Sequence, residues 1–440
     1  MDKTVKGVLH PLIGTVKVPG DKSISHRSVM LGALSEGTTH VTGFLNGADC
    51  LSTISCFRKM GIEIELSEDE TEVTIHGRGM RGLKKPDGIL DCGNSGTTTR
   101  LLSGILAAQN FDSELTGDES IQKRPMKRIM KPLSLMGAEI DSVNGNDCAP
   151  LAIHGKPLHG IRYESPVASA QVKSSVLFAG LYADGDTTVV EPTLSRDHSE
   201  RMLKALGAHV VTRTLPDGRA EITVSNCDRL TAPKETLEIP GDISSAAYFI
   251  SAALLIPGSD IIIKNAGINP TRDGIIEAYL SMGADITLEN RHVSGSEDVA
   301  DIHVRYTDKL HGTEIGGSLI PRLIDELPVI AAVAAGAEGK TVIKDASELK
   351  VKESNRIAVM VEGLEKAGIK ASETTDGMII EGQGSGLKLR STEIDTHKDH
   401  RIAMTFAVLF MAGDKDTAVT LIDADCINIS YPTFFEDLSI

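Results

Sequence analysis

The segment Lys59-Met-Gly-Ile-Glu-Ile-Glu-Leu66 carries the signals for the end of a helix followed by the start of a strand. Its glycine suits the left-handed position that ends a helix, and the alternation from Ile62 to Leu66 is typical of a half-buried strand. The same combination recurs at Ala205-Leu-Gly-Ala-His-Val-Val-Thr212 and Ser281-Met-Gly-Ala-Asp-Ile-Thr-Leu288. Glycines of this kind stand at five places, which are Gly61, Gly137, Gly207, Gly283 and Gly368. A combination of signals that recurs along the chain indicates a repeated structural unit.

The repeated unit consists of a helix, a strand, a second helix and two further strands. Most copies carry an upstream small-residue helix closed by a turn such as Ser35-Glu-Gly-Thr-Thr39, and a shortened sixth copy runs from His400 to Asp437. Six copies predict two similar α/β domains of three units each, with crossover helices packed on mixed sheets.

Two Pro-Gly connections indicate where the chain passes between the domains. Leu237-Glu-Ile-Pro-Gly241 repeats the pattern of Val16-Lys-Val-Pro-Gly20. We expect one domain to contain residues 1–20 and 240–440 and the other to contain 21–239, with a hinge near 17–21 and 237–241. The alternative is that both connections are ordinary turns.

The composition excludes several classes of function. Among 440 residues, 45 basic and 61 acidic side chains give a net charge of −16, which is opposite to that of a nucleic-acid binder or a protein held on anionic lipid. Tryptophan is absent and aromatic residues are only 3%, so base-stacking surfaces are not expected. An anionic ligand would therefore need a local cluster of basic residues.

The cysteines and the apolar segments indicate a cytoplasmic protein. None of the six cysteines forms a C-x-x-C pair or a ligand-spaced group with histidine, which favours a reducing compartment and argues against a zinc site. The first residues contain no apolar run typical of a signal peptide. The longest apolar stretches, near Tyr248–Pro257 and Val329–Ala337, are far shorter than the roughly 18 residues of a membrane span.

Two familiar nucleotide-binding patterns fail on their context. Gly77-Arg-Gly-Met-Arg-Gly82 matches G-x-G-x-x-G, but the following Leu83-Lys-Lys-Pro-Asp-Gly88 reads as a loop and not as a helix. Gly339-Lys-Thr341 resembles the end of a P-loop, yet Ala334 stands where the first glycine is required. We therefore expect no nucleotide site at either place.

Polar and basic clusters recur at the start of the small-residue helix in each unit. They are Gly20-Asp-Lys-Ser-Ile-Ser-His-Arg27, Cys92-Gly-Asn-Ser-Gly-Thr-Thr-Thr-Arg100, Ser169-Ala-Gln-Val-Lys173, Gly241-Asp-Ile-Ser-Ser245, Ile324-Asp-Glu-Leu327 and Asp399-His-Arg-Ile-Ala403. Helix N-termini attract anions, although capping alone would explain residues such as Ser244 and Ser245. Cations near a helix start oppose the helix dipole, and five are present: Lys22, Arg27, Arg100, Lys173 and Arg401. This conflict indicates anionic ligands.

Further basic residues and two carboxylates complete the candidate site. Arg124, Arg196, Lys352 and Arg356 lie in predicted loops; if the last two were on a helix they would share a face. Many cations with few aromatic residues favour small, multiply anionic substrates. Asp325 and Glu353 are the candidates for proton transfer, and no G-x-S-x-G or similar nucleophile signature is present.

Together these motifs closely resemble those of the 5-enolpyruvylshikimate-3-phosphate synthases, over essentially the whole chain. The matching segments are Gly20-Asp-Lys-Ser23, Gly93-Asn-Ser-Gly-Thr97, Lys123-Arg-Pro-Met126, Ser169-Ala-Gln-Val-Lys173, Asp325, Val351-Lys-Glu353 with Arg356, and Asp399-His-Arg401. The resemblance implies a two-domain inside-out α/β barrel with three βαβαββ repeats per domain, closing over a cleft. It also implies a step of aromatic amino-acid biosynthesis, in which the enolpyruvyl group of phosphoenolpyruvate passes to the 5-hydroxyl of shikimate 3-phosphate. Phosphate is released, and neither a metal nor an organic cofactor takes part.

The resemblance also assigns site residues, position by position. Those implied to bind shikimate 3-phosphate are Lys22, Ser23, Arg27, Ser169, Gln171, Arg196, Asp325 and Lys352. Those implied to surround phosphoenolpyruvate are Lys22, Asn94, Gly96, Arg124, Gln171, Arg356 and Arg401. Asp325, with Lys352, would accept the hydroxyl proton, and Glu353, with Lys22, would protonate the methylene carbon. The expected protein is a monomer whose partners are these two substrates, with no nucleic acid and no membrane.

The nearest related family is the UDP-N-acetylglucosamine enolpyruvyl transferases, which usually carry a cysteine where Glu119 stands here. Within the shikimate enzymes, Arg196-Asp-His-Ser-Glu200 and Asn269-Pro-Thr-Arg272 resemble the class II branch, which is often tolerant to glyphosate. Ile429 replaces a lysine of class I members, and Gly96 leaves room beside the phosphoenolpyruvate site. A non-catalytic repeat scaffold and a module that binds anions without catalysis are the alternatives from other classes.

Overall fold

In the computed structural model, which describes residues 1–8 and 10–438, buried helices pack against sheets of three to five strands, most of them four-stranded. The chain divides into two units with separate hydrophobic cores. Unit 1 contains Met1–Pro19, Pro240–Val293 and Asp298–Ile440, and unit 2 contains Gly20–Ile239 and Ser294–Glu297.

The turn Ser294–Glu297 was expected in the first domain with the rest of 240–440, but it groups with unit 2. Its last residue, Glu297, is buried, and Oε1 lies 2.8 Å from Nδ1 of the buried His198. The predicted hinge at 17–21 and 237–241 stays a prediction.

The helices follow the predicted repeats. They are α1 (Lys22–Leu34), α2 (Ala48–Lys59), α3 (Gly96–Ala107), α4 (Lys127–Leu135), α5 (Ala170–Gly180), α6 (His198–Ala205), α7 (Ile243–Leu255), α8 (Gly274–Ser281), α9 (Ile320–Leu323), α10 (Leu327–Ala335), α11 (Arg356–Lys366), α12 (His400–Met411) and α13 (Phe434–Asp437).

The strands are short and mostly half-buried. They are β1 (Lys3–Lys6), β2 (Ile13–Val16), β3 (Ser35–Thr42), β4 (Glu63–Leu66), β5 (Val73–Arg78), β6 (Leu90–Asp91), β7 (Asp112–Thr116), β8 (Glu139–Ser142), β9 (Leu151–His154), β10 (Arg162–Glu164), β11 (Thr187–Glu191), β12 (Val210–Thr214), β13 (Ala220–Val224), β14 (Leu230–Thr231), β15 (Leu237–Glu238), β16 (Asp260–Gly267), β17 (Asp285–Ser294), β18 (Glu297–Arg305), β19 (Glu314–Ile315), β20 (Glu338–Ile343), β21 (Lys370–Glu373), β22 (Met378–Gln383), β23 (Thr392–Asp395) and β24 (Ala418–Ile422).

One sheet topology recurs along the chain. In β6-β7-β9-β8 the first pair is parallel and the other two are antiparallel, and β10-β11-β13-β12 has the same pattern. The order β19-β20-β22-β21 repeats it in unit 1. A parallel pair needs a crossover connection, and a buried helix supplies it in each repeat.

Three sheets take a strand from a distant part of the chain. Strands β14 and β15 pair in parallel with β3 and so complete the first repeat of unit 2. Strand β2 does the same for β16 in unit 1, and β1 pairs antiparallel with β24 in the shortened last repeat. Each unit is therefore completed by a segment from its own terminal region.

The helices at the centre of each unit are buried on nearly all sides. In unit 2 these are α1, α3 and α5, and in unit 1 they are α7, α10 and α12. Other elements enclose these helices, so the sheets lie outside with alternate side chains exposed, and the polar side chains that the helices carry are buried with them. Close packing of α3 on α5 requires Gly104, since a Cβ there would lie 2.1 Å from the Ser175 carbonyl oxygen. The predicted inside-out α/β barrel is confirmed.

The five helix-ending glycines have the predicted left-handed conformation. Their φ angles are 85°, 92°, 97°, 86° and 91° for Gly61, Gly137, Gly207, Gly283 and Gly368. Each is the second residue after its helix, the position at which a left-handed residue lets the chain turn away without a Cβ clash. The sequence repeat is therefore a repeat of helix ends.

The two rejected nucleotide motifs lie in strands and turns. Gly77 is within β5, and a turn follows that strand where a dinucleotide fold would start a helix. Gly339-Lys-Thr341 lies inside β20, whereas a P-loop lies directly before a helix. Across the described residues, no helix has both the length and the apolar character required to traverse a lipid bilayer.

Candidate active site

The six predicted clusters all lie at helix starts, and five of them carry a side-chain cap. A polar oxygen at the N-cap accepts a backbone N–H of the first turn, which satisfies a donor that the helix leaves unpaired. The caps are Asp21 of α1, Ser95 of α3, Ser169 of α5, Asp242 of α7 and Asp399 of α12. The sixth cluster precedes α10, which begins after Glu326 without a side-chain cap.

Lys22 and Arg27 project from the first two turns of α1. The Lys22 ammonium lies 2.9 Å from Asp49 Oδ2, a carboxylate at the start of α2. The buried Arg27 guanidinium donates to three neutral oxygens: Ser199 Oγ at 2.8 Å, Ser174 Oγ at 3.0 Å and the Ser23 carbonyl at 2.9 Å. Burial lowers the pKa of Arg27 to about 10, even though Glu200 and Asp21 favour its charged form. An additional anion beside this guanidinium would stabilise its charged form.

The start of α3 brings two guanidinium groups beside Gly96. Arg124 donates to the carbonyl and to Oδ1 of Asn94, both at 3.4 Å. Arg100 Nη1 donates to Gln171 Oε1 at 2.5 Å, and the amide nitrogen of Gln171 donates to Thr97 Oγ1 at 3.1 Å. A Cβ on Gly96 would lie 2.8 Å from Arg100 Nη1 and 3.2 Å from Arg124 Nη1. The absent side chain therefore leaves the space into which both cations point.

Lys173 has a different environment from the one the sequence suggested. Its ammonium is fully buried, 3.1 Å from Glu191 Oε2 and 2.7 Å from Glu200 Oε1. Burial lowers the pKa of Lys173, but the two carboxylates outweigh that effect and the net shift is upward. The prediction that Lys173 faces an anionic ligand is wrong, because two carboxylates of the chain itself are its counterions. Arg196, in the loop before α6, is half-buried, and its charge contributes to lowering the pKa of Arg27.

In unit 1 the predicted base is surrounded by cations. Asp325 Oδ1 lies 3.3 Å from both Lys352 Nζ and Arg356 Nη1, and Oδ2 lies 4.0 Å from Arg401 Nη2. Arg401 also donates to the Asp325 carbonyl at 3.3 Å. Opposite charges within about 4–6 Å stabilise an ionised carboxylate.

Arg356 is the centre of this group of residues. It is 1% exposed, and its Nη2 lies 2.5 Å from Glu353 Oε2. Its Nε and Nη2 also donate to the two oxygens of Asp399, at 2.8 and 3.2 Å. Burial lowers the pKa of Arg356, but Asp399 and Glu353 more than compensate, so that the pKa is raised overall. One guanidinium thus holds both predicted proton-transfer carboxylates.

The structure decides how Lys352 and Arg356 are related. Lys352 and Arg356 do not share a helix, because Ser347–Val351 forms a short 3-10 helix and α11 begins only at Arg356. Both nevertheless contact Oδ1 of Asp325. Ile429, which replaces the class I lysine, packs against the apolar core of unit 1.

Several polar residues of these clusters were not predicted to take part. Asp399 was quoted only within a motif, although its place before a helix marks it as a cap. Glu326 is buried beside Arg401 and accepts from the Ser244 hydroxyl. Glu191 and Glu200 could have been sought from Lys173, because a lysine inside a predicted buried helix needs a counterion.

The predicted site residues of unit 2 differ chemically from those of unit 1. In unit 2 the predicted residues are mainly cations and hydrogen-bond donors, an arrangement suited to phosphate and carboxylate groups. In unit 1 carboxylates and cations are interleaved around Arg356 and Asp325, an arrangement suited to proton transfer next to bound anions.

A family model and similar proteins both point to one family. A family model described as EPSP synthase (3-phosphoshikimate 1-carboxyvinyltransferase) matches residues 8–438. The chain belongs to the EPSP synthase family. A 3-phosphoshikimate 1-carboxyvinyltransferase of Geobacter sp. (strain M21) is 52% identical over 421 residues, which are 96% of this chain and 95% of the relative. One of Bacillus subtilis (strain 168) is 51% identical over 428 residues, 97% of each chain.

Solved structures agree with this membership. EPSP synthase from Acinetobacter baumannii is 46% identical, has a TM-score of 0.87, and is matched over 100% of this chain and 97% of its own. The enolpyruvyl transferase NikO from Streptomyces tendae has a TM-score of 0.79 at 16% identity, over 99% of this chain and 96% of its own, and so shows the shared fold alone. The chain is therefore an enzyme, a transferase. The UDP-N-acetylglucosamine and non-catalytic alternatives are not favoured.

Two histidine–carboxylate groups lie apart from these clusters, on exposed sheet faces. Glu63, Glu65 and His76 form one, and Glu139, Asp141 and His154 form the other. In both groups the histidine lies opposite the first carboxylate on the neighbouring strand, so strand register alone brings the three side chains together. They form no part of the candidate site.

Proposed function

We propose that the enzyme transfers the enolpyruvyl group of phosphoenolpyruvate to the 5-hydroxyl of shikimate 3-phosphate. The products are 5-enolpyruvylshikimate 3-phosphate and inorganic phosphate. Family membership supports this substrate pair, since the relatives are named 3-phosphoshikimate 1-carboxyvinyltransferases. The basic cluster of unit 2 supports it chemically, because the two substrates together carry two phosphates and two carboxylates.

In this proposal the residues at the helix starts of unit 2 bind the substrate anions. Shikimate 3-phosphate is held by Lys22, Ser23, Arg27, Ser169, Gln171 and Arg196, together with Asp325 and Lys352 of unit 1. Phosphoenolpyruvate is held by Lys22, Asn94, Gly96, Arg124 and Gln171, together with Arg356 and Arg401 of unit 1. The buried, lowered-pKa guanidinium of Arg27 supports its assignment, since a phosphate would supply the anion that favours its charge.

Asp325 is proposed to accept the proton of the 5-hydroxyl. The cations Lys352, Arg356 and Arg401 stabilise its negative charge, so that it meets the substrate as a base. Removal of the proton allows the hydroxyl oxygen to form a bond to C2 of phosphoenolpyruvate. The 3.3 Å distance from Lys352 Nζ to Asp325 Oδ1 supports the proposal that Lys352 assists this transfer.

Glu353 is proposed to deliver a proton to C3 of phosphoenolpyruvate, assisted by Lys22. Its carboxylate is bound to Arg356, the arginine that would also receive the phosphoenolpyruvate anion. An incoming anion competes for that guanidinium and places negative charge nearby, and both effects favour a proton on Glu353. Addition of the oxygen and the proton yields a tetrahedral intermediate. Loss of a proton from its methyl group and cleavage of the C–O bond to phosphate then give the products.

The single observation that carries the proposal is the sharing of Arg356 by Asp325 and Glu353. A base and an acid held on one guanidinium can act on two atoms of the same small substrate pair. Because both carboxylates are already held in position before the substrates bind, this preorganisation would contribute to the rate acceleration.

Phosphate release from the purified protein tests the proposed reaction. With phosphoenolpyruvate and shikimate 3-phosphate, and without added metal, we expect one phosphate per enolpyruvyl group transferred. Shikimate 3-phosphate is replaced by UDP-N-acetylglucosamine in the matched control, where we expect no release. Release with the nucleotide sugar instead would assign the other enolpyruvyl transferase activity. A folded protein that releases no phosphate with either acceptor would contradict both.

We further propose that the active species is a monomer in the cytoplasm. A net charge of −16 opposes self-association, and all six cysteines are free thiols, which fits a reducing compartment. The phosphate assay should therefore be run on size-separated protein. Activity that elutes with a 46.9 kDa species supports the monomer, whereas activity confined to a larger species contradicts it.

Gly96→Ala should raise the KM for phosphoenolpyruvate about tenfold, because the new methyl group must displace the Arg100 and Arg124 guanidinium ends. The KM for shikimate 3-phosphate should change much less. The same titration measures glyphosate inhibition, which we expect to be weak in the unmodified chain, as its class II motifs suggest. A submicromolar inhibition constant competitive with phosphoenolpyruvate would contradict that expectation. An unchanged KM in the variant would show that the space beside Gly96 is not used.

A further inference from the structure

A buried carboxylate in unit 2, that of Glu191, connects two segments that carry proposed substrate ligands. Glu191 ends strand β11 and is 1% exposed. Its Oε1 accepts the backbone N–H of Ser169 at 2.9 Å. Its Oε2 accepts the backbone N–H of Ser195 at 3.1 Å, and both oxygens accept the Ser195 hydroxyl at 2.8 Å. Ser169 begins α5, and Ser195 directly precedes Arg196.

Lys173 fixes the same segment from the other side. Its ammonium lies 3.1 Å from Glu191 Oε2 and donates to the Ser195 carbonyl at 3.1 Å. Ser195 is therefore held at its backbone nitrogen, its carbonyl and its hydroxyl by one ion pair. This leaves the backbone on the N-terminal side of Arg196 little freedom to move.

The ion pair also reaches the surroundings of Arg27. Lys173 lies 2.7 Å from Glu200 Oε1, on helix α6. The neighbouring residues Ser174 and Ser199 bond each other at 2.6 Å, and both accept hydrogen bonds from the Arg27 guanidinium. Thus helices α1, α5 and α6 and the loop before α6 meet around two buried acids and two buried bases.

We propose that Lys173 and Glu191 are positioning residues that set the affinity for shikimate 3-phosphate. They touch no substrate in this scheme; they hold Ser169 and Arg196 in the arrangement that binds it. The inference rests on the proposed function, because that proposal makes Ser169 and Arg196 ligands of shikimate 3-phosphate.

General stability is a poor explanation for this pair. A fully buried ion pair gains little over well-packed apolar residues, because both charges lose their hydration. What apolar residues cannot supply is an acceptor for two backbone N–H groups from separate segments. The contacts of Glu191 are with those N–H groups, so its specific contribution is the fixed spacing of the segments.

Glu191→Gln tests the inference directly. Glutamine retains one carbonyl oxygen for the Ser169 N–H, but its amide NH2 would face two donors, the Ser195 N–H and the Lys173 ammonium. The loop that carries Arg196 should lose its contacts with residue 191, whereas the hydrogen bond to the Ser169 N–H at the start of α5 should be kept. We expect the KM for shikimate 3-phosphate to rise about 10- to 50-fold, with the KM for phosphoenolpyruvate changed less than about threefold.

Glu221→Gln is the matched control. Glu221 is a buried carboxylate of the same sheet, paired with Arg162 and Arg213, and its strand β13 lies beside β11. It holds neither Ser169 nor Ser195, so both KM values should stay within about threefold of the parent. Equal increases in both KM values for Glu191→Gln, or a change equal to that of Glu221→Gln, would overturn the inference.

Ser195→Ala is a milder second variant, needed if Glu191→Gln does not fold. It removes only the hydroxyl that donates to Glu191, and the KM for shikimate 3-phosphate should rise about fivefold. An unchanged KM in a folded Ser195→Ala protein would also overturn the inference. Parent protein that neither turns over nor binds shikimate 3-phosphate in calorimetry would defeat the proposed function itself. Active parent protein with insensitive variants would defeat only the positioning role.

Discussion

Asp325→Asn should lower kcat about a thousandfold while leaving both KM values within about fivefold, the range expected for loss of a positioned general base. Asparagine has nearly the same shape and can still accept a hydrogen bond from Lys352 or Arg356. It cannot take up the proton of the 5-hydroxyl, so the chemical step suffers and binding largely does not. Steady-state phosphate release, with each substrate varied in turn, measures kcat and the two KM values separately.

The matched control for Asp325→Asn is Glu362→Gln. Glu362 is an exposed acid of α11 paired with Lys366 four residues later, and its removal should leave kcat unchanged. Comparable thermal unfolding of both variants would show that folding is intact. An Asp325→Asn enzyme with more than about a tenth of the parent kcat would contradict the assignment of Asp325 as the base.

Arg356→Lys should lower kcat/KM for phosphoenolpyruvate by two to three orders of magnitude, although the positive charge is kept. The guanidinium uses all three of its nitrogens: Nη1 contacts Asp325, Nη2 contacts Glu353 and one oxygen of Asp399, and Nε contacts the other oxygen of Asp399. An ammonium is a single point charge and cannot span these three carboxylates. Losing two charge-assisted hydrogen bonds, at the lower end of about 1.5–3 kcal/mol each, corresponds to the expected fall.

A second measurement on Arg356→Lys separates geometry from charge. The raised pKa of Arg356 means that the parent guanidinium stays charged over the whole working pH range, and lysine stays charged near neutrality as well. The loss of activity should therefore show little pH dependence between about pH 6 and 8. Arg305→Lys, a change at a more exposed arginine paired with Asp285, is the control and should be neutral. An Arg356→Lys enzyme of parental efficiency would show that charge alone suffices there.

Helix ends and helix starts could be predicted from the sequence because their causes are local. The left-handed glycine at Gly61 and its four counterparts needs only its own φ angle, and these five glycines, with the shortened copy after His400, were enough to count six units. The caps Asp21, Ser95 and Ser169 each act over three residues. The motifs containing Asp325, Glu353 and Arg401 could be found for the same reason, since each is a short stretch of chain.

Partners distant in the chain could not be predicted. Lys173 looked like a ligand for an anion because its charge opposes the α5 dipole, but its counterions Glu191 and Glu200 are 18 and 27 residues further along. Lys352 and Arg356 would share a face only on a common helix, which they do not have, whereas both contact the carboxylate of Asp325. Asp399, which binds Arg356 across 43 residues, received no role at all.

What the sequence by itself determined is the repeated unit, the inside-out α/β class, the helix starts that carry the polar clusters, and the family. Tertiary structure alone decided which charges neutralise each other, which strand completes each sheet, and that Ser294–Glu297 folds with unit 2. The reason is physical. Backbone conformation and capping depend on a few neighbouring residues, whereas the energy of a charge depends on its burial and on the groups that folding brings within a few ångströms.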